Sequence, residues 1–180
     1  MALSDQTAIL TQQALWRIAA PCNGHVNNIS NHPSNLISHQ LAGEGVCIEI
    51  YGEQLVSPVD GVIVFIEPLL TMLRIKTTKG LIVEIRLPDI VKDMMRNGFK
   101  LMAAEQQQVT TGQVLLTFHR QKLLSLQNKL HSNKKLHLSM TLPNLPSQYV
   151  VQCHFNKVTA AQDFCIEVYP PADRSQEQTC

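Results

Sequence analysis

Beyond Trp16 the chain runs in short apolar segments broken about every ten residues by Gly, Pro, Asn or Asp, the pattern of a β-sandwich or barrel. Val46 to Ile50 alternates apolar and other side chains, Val62 to Ile66 and Val114 to Phe118 are nearly continuous apolar runs, and Cys165 to Tyr169 closes the series. A hairpin is written into Thr71 to Leu87, with Thr78, Lys79 and Gly80 as its turn. A three-residue loop sets Arg74 opposite Glu84, a cross-strand charge pair worth about 0.2–1 kcal/mol that pins register more than it stabilises. Short helices are predicted at two places. Ser4 and Asp5 can cap one over residues 4–16, where Ile9, Leu10 and Leu15 give partial apolar spacing. In His119 to Lys135, Leu123, Leu126 and Leu130 stand at helical spacing, and the basic residues between them form a solvated face. The chain therefore divides into an arm or short helix over residues 1–15, one β-domain over 16–169, and a polar, Pro-led tail over 170–180 expected to be disordered.

One pattern occurs twice. Ile18 to Val26 reads IAAPCNGHV and Leu55 to Ile63 reads LVSPVDGVI, with Pro21 over Pro58 and Gly24 over Gly61. Each copy is expected to be strand, turn, strand. Pro presets the turn, Asn23 or Asp60 bonds back to its own backbone, and Gly supplies a positive φ. The repetition implies two related halves.

Composition narrows the function classes. A chain of 180 residues, 44% hydrophobic and 16% charged, can bury one sizeable core and is neither disordered nor membrane-spanning in character. A formal net charge of +1 lacks the dense basic surface that nucleic acid selects, so no nucleic-acid partner is expected. No apolar stretch reaches the roughly 18 to 20 residues that would cross a bilayer, and no basic region precedes a hydrophobic run near the N-terminus, so a cytoplasmic protein without membrane insertion is expected. Five cysteines form no C-x-x-C pair, which suggests reduced thiols, with Cys47 and Cys165 acting as small hydrophobes.

These segments together resemble the glucose-type enzyme IIA domain of the bacterial sugar phosphotransferase system, from Trp16 to about Tyr169. AAPCNG resembles the family's APxSG; GEGVCIEI, Gly43 to Ile50, resembles GDGIAI; and VSPVDGVI, Val56 to Ile63, resembles APVDGxI. NGFK at Asn97 to Lys100 resembles EGFK, and Gln106 to Phe118 resembles GxxVxxGxxLxxF. The resemblance implies a mostly β fold: an antiparallel sandwich or barrel of the duplicated hybrid motif type with short helices. It also places the family's two site histidines. The supporting histidine falls on Thr71, and the phosphoryl-accepting histidine, in V-H-x-G-x-D-T, falls on Arg86. The loop that follows has become Pro88-Asp89-Ile90-Val91.

A catalytic role is therefore not expected, nor is a cofactor or metal. The resemblance leaves a partner-binding face, made of Leu36 and Ile37 with Thr71, Arg86 and Asp89, for other phosphotransferase components, transporters or regulators. The alternative is a phosphocarrier using a relocated histidine. The loop bearing His32 and His39 borders the active face in the family, whereas His25, His119, His131, His137 and His154 have no partner motif. The related zinc peptidases need H-x-H and H-x-x-x-D sets, and neither occurs: His137-Leu138 is followed by Ser139, and no acidic residue stands four places after His25 or His32.

Overall fold

Two proline corners, bonded to each other, organise the fold. The computed structural model describes residues 13–130 and 135–171. Its strands are β1 (Trp16–Ala19), β2 (Gly24–Asn28), β3 (Glu44–Ile50), β4 (Gln54–Val56), β5 (Gly61–Ile66), β6 (Met72–Thr77) and β7 (Ile82–Arg86). These are followed by β8 (Phe99–Leu101), β9 (Gln108–Val109), β10 (Val114–Phe118), β11 (His137–Leu142), β12 (Val150–Cys153), β13 (Lys157–Val158) and β14 (Phe164–Tyr169). An antiparallel sheet of eight strands runs β13-β2-β3-β11-β7-β6-β5-β9, and two three-stranded sheets, β1-β14-β12 and β4-β10-β8, complete the sandwich. The mostly β, antiparallel architecture is the one expected.

Each corner passes the chain from a small sheet into the large one, β1 to β2 and β4 to β5. The Ala19 N–H donates to the Pro58 carbonyl at 3.0 Å and the Val56 N–H to the Pro21 carbonyl at 2.8 Å, so the two copies of the repeat clasp each other. Asn23 and Asp60 hold remote loops, accepting from the Ala160 N–H at 2.8 Å and the Thr111 N–H at 2.7 Å. That differs from the expected bond to their own backbone. Gly24 and Gly61 also differ from expectation, because neither has a positive φ. Glycine is needed there because a Cβ would collide with the backbone carbonyls of Glu49 and Lys76 on the neighbouring strands.

The hairpin pairs Arg74 with Glu84 and Lys76 with Ile82, as expected, and Gly80 closes its three-residue loop at φ +86°. One face of the large sheet is apolar: Val46, Met140, Ile85 and Leu73 lie side by side across β3, β11, β7 and β6, all 0% exposed. This is the core.

Two α-helices are seen among the described residues, α1 (Asn35–Ser38) and α2 (Arg120–Leu130). Leu123 anchors α2 in the core, Leu126 is half-buried and Leu130 is exposed. Of the helix expected within His119 to Lys135, Arg120–Leu130 is helical, and residues 131–134 lie outside the described residues. Most of the predicted N-terminal helix and of the tail likewise lies outside them. Trp16, taken as the last residue of that helix, instead opens β1, and the Leu15 N–H already donates to Val168 at 2.8 Å. No helix among the described residues is long and apolar enough to cross a membrane.

Candidate functional site

The opposite face of the same sheet carries polar groups at its centre. Because side chains alternate along a strand, Glu84 and Arg86 of β7 share that face with Arg74 and Met72 of β6 and with Ser139 and Thr141 of β11. Glu84 is 1% exposed and is bonded on both sides: Arg74 Nε donates to its Oε2 at 2.7 Å and Arg86 Nε to its Oε1 at 2.6 Å. The arginine side chains remain 40% and 34% exposed. Arg74 also lies over the Phe65 ring, 5.9 Å from its centroid. Two fixed positive charges thus bracket one buried negative charge. The Arg74–Glu84 pair was legible from the hairpin. The pairing of Arg86 with Glu84 was not anticipated, although a spacing of two residues within one strand is the signal for it.

Thr71 lies on the strand end beside Arg86, its carbonyl accepting from the Leu87 N–H at 2.9 Å. Leu70 adopts φ +63° to make the preceding turn. Glu67 caps that turn, accepting from the Leu69 N–H at 2.7 Å and from the Thr71 hydroxyl at 3.0 Å. The Thr71 hydroxyl is therefore already committed. Asp89 is exposed at the start of a 3-10 helix, Asp89–Met94, whose Ile90 and Val91 are buried.

Leu36 on α1 is 47% exposed, but Ile37 is 2% exposed. Of the two aliphatics expected to face a partner, Ile37 instead covers the core. A helix of four residues points consecutive side chains about 100° apart, so one of the pair turns inward.

Among the histidines, the structure brings together a pair that the sequence did not. His32 and His137 line one cleft with Asp89, Gln127 and Lys135. Burial lowers the pKa of His32, and the nearby His137 adds to this, against an upward pull from Asp89. Burial lowers that of His137 too, against the pull of Glu49. His32 Nδ1 accepts from the Ser34 N–H at 3.1 Å, which places its own proton on Nε2 and occupies its lone pair. His137 Nδ1 is buried and has no hydrogen-bond partner among the described residues. His39 has the opposite tautomer: its Nδ1–H donates to the Asn35 carbonyl at 2.8 Å, and its Nε2 lone pair has no partner among the described residues. His154 lies apart, its Nε2 3.0 Å from Glu167. No group of three or more His, Cys, Asp or Glu side chains among the described residues is arranged to hold a metal ion.

The antiparallel sandwich with its doubled proline corner sets the fold class, and the charged triad lies on one face of its large sheet. Comparison with known proteins gives the family. The family described as phosphoenolpyruvate-dependent sugar phosphotransferase system, EIIA 1, matches residues 16–133, and the chain belongs to it. The glucose-specific EIIA component of Bacillus cereus is 33% identical over 101 residues, covering 56% of this chain and 61% of that protein. The glucose-specific EIIBCA component of Corynebacterium glutamicum is 28% identical over 106 residues, covering 58% of this chain and 15% of that protein. The matched part thus spans less than two thirds of either relative's length. Among solved structures, glucose permease IIA from Mycoplasma capricolum shares the fold, with a TM-score of 0.73 at 19% identity over 85% of this chain and 94% of that one.

Proposed function

We propose that this enzyme IIA-like protein of the sugar phosphotransferase system carries no phosphoryl group and works by binding other proteins. The observation that carries the reading is the guanidinium of Arg86, whose Nε–H is donated to buried Glu84; the sequence resemblance assigns to this residue the place of the family's phosphoryl-accepting histidine. Accepting a phosphoryl group needs a nitrogen lone pair. A neutral imidazole has one, and a guanidinium, always protonated, does not. Thr71 cannot supply the second imidazole, and its hydroxyl is held by Glu67.

A phosphohistidine would add a charge of about −1.5 to −2, by analogy with other phosphorylated side chains, whereas Arg86 stays positive. The protein therefore presents one charge state and imitates the unphosphorylated form towards cytoplasmic partners: transporters, other phosphotransferase components or regulators. Exposed Leu36, with Arg86, Asp89 and Thr71, forms the proposed docking face. The test is an isotherm for binding to a glucose-specific EIIBC component, with and without phosphoenolpyruvate and the two general phosphotransferase proteins. The expected result is one affinity under both conditions. Absence of binding, or an affinity that phosphoenolpyruvate changes, overturns the reading.

A second reading, a phosphocarrier using a relocated histidine, is favoured by one observation. The Nε2 lone pair of exposed His39, unpartnered among the described residues, is of the kind a phosphoryl acceptor requires, while that of His32 is occupied. Phosphate incorporation that is lost in His39→Gln would establish it.

A further inference from the structure

Glu84 takes one Nε–H from each of two arginines, and this fixes what those arginines have left to offer. A guanidinium carries five N–H donors, of which the Nη groups supply four. Neither Arg74 nor Arg86 has a hydrogen-bond acceptor besides Glu84 among the described residues. Their outer edges thus point donors away from the carboxylate, at side chains 40% and 34% exposed. Glu84 is buried, so it holds the two forks in place while presenting little negative charge outward. Cross-strand pairing of Arg74 with Glu84, and of Arg86 with Met72 and Ser139, fixes both arginine backbones on a three-strand segment of the sheet.

We propose that Arg74 and Arg86 form a receptor for a dianionic phosphoryl group, in which the arginines bind the phosphoryl oxygens and no bond to phosphorus forms. The proposal rests on the reading above that Arg86 is not a phosphoryl acceptor. The charge count favours this ligand over a carboxylate. Two positive charges against one buried negative charge leave a positive surplus, and two forks offer more donors than the two oxygens of a carboxylate can fill. The terminal oxygens of a tetrahedral phosphoryl group, three in an ester, match two forks, the geometry in which arginine binds phosphate in bidentate fashion. Free inorganic phosphate and a phosphate ester borne by a protein share this chemistry.

The test uses the whole chain with 15N-labelled arginine, following the Nε–H signals of Arg74 and Arg86 at constant ionic strength. Inorganic phosphate, a phosphoserine peptide, its unphosphorylated twin and acetate are added separately. Both signals are expected to shift together and saturably with phosphate and with the phosphopeptide. Arg74→Gln and Arg86→Gln should each weaken that binding about tenfold, the loss of one charge-assisted contact. The tighter of the two phosphate-bearing probes identifies the source. Shifts that do not saturate, equal shifts with acetate or with the unphosphorylated peptide, or unchanged affinity in either Gln variant overturn the proposal. Arg86→Lys keeps the charge and a partner for Glu84 but loses the fork. It should fold and still bind phosphate more weakly, and wild-type affinity in that variant also counts against the receptor. No phosphoenolpyruvate or transfer protein is present. Phosphorylation of the chain itself, which would sink the proposed function, is therefore read in a separate experiment.

Discussion

Replacing Arg74 and Arg86 by methionine, singly and together, probes the triad on the polar face of the large sheet. Glu84 is 1% exposed, so its carboxylate has given up water for two guanidiniums at 2.7 and 2.6 Å. A hydrogen bond to a charged group contributes about 1.5–3 kcal/mol when desolvated. Each arginine is more than one-third exposed and partly screened, which brings the expected cost of either single replacement to about 1–2 kcal/mol. The double replacement strands a buried carboxylate, for which about 3–5 kcal/mol is expected, more than the sum of the singles. Adding Glu84→Met removes the stranded charge, and the triple variant should recover much of the loss. Urea unfolding at pH 7, with m-values checked for constancy, gives these differences, and thermal melts should shift by about 2–4 °C per kcal/mol for a chain of this size. Single variants indistinguishable from wild type, or a triple variant no more stable than the double, would refute the claim that Glu84 is held by both arginines.

Gly24→Ala and Gly61→Ala should each destabilise by about 1–3 kcal/mol, measured by the same unfolding assay, because a Cβ at either corner meets the next strand's carbonyl. His32 and His137 have pKa values lowered below 6.5 by burial, so the unfolded chain binds protons first as pH falls. Their contribution is therefore present above about pH 6.5 and lost as the pH drops through the folded values, and the double Gln variant should show a flatter stability profile between about pH 7 and 5. Burial pushes the thiols of Cys22, Cys47 and Cys165 up to about 12. Mass spectrometry after iodoacetamide treatment at neutral pH should find these three unmodified in the native protein and modified in urea.

Much of this architecture could be read from residue order because it depends on local period. The hairpin from Met72 to Arg86 announces its register through a Gly-closed loop and alternating side chains, and the doubled corner announces itself through Pro21 and Pro58. Contacts made by strands remote in sequence could not be read this way. The need for Gly24 and Gly61 comes from the carbonyls of Glu49 and Lys76, so reasoning from turn chemistry found the right residues for the wrong cause. His137 meets His32 only because β11 inserts between β3 and β7, and nothing near either residue encodes that insertion. Leu36 and Ile37 look alike as letters; only the placement of α1 on the core separates the exposed from the buried one.

Intact-protein mass after incubation with phosphoenolpyruvate and the two general phosphotransferase proteins addresses the function most directly, with a glucose-specific EIIA component as positive control. The account predicts an unchanged mass for this chain while the control gains one phosphoryl group. A stoichiometric, acid-labile gain on this chain would contradict it.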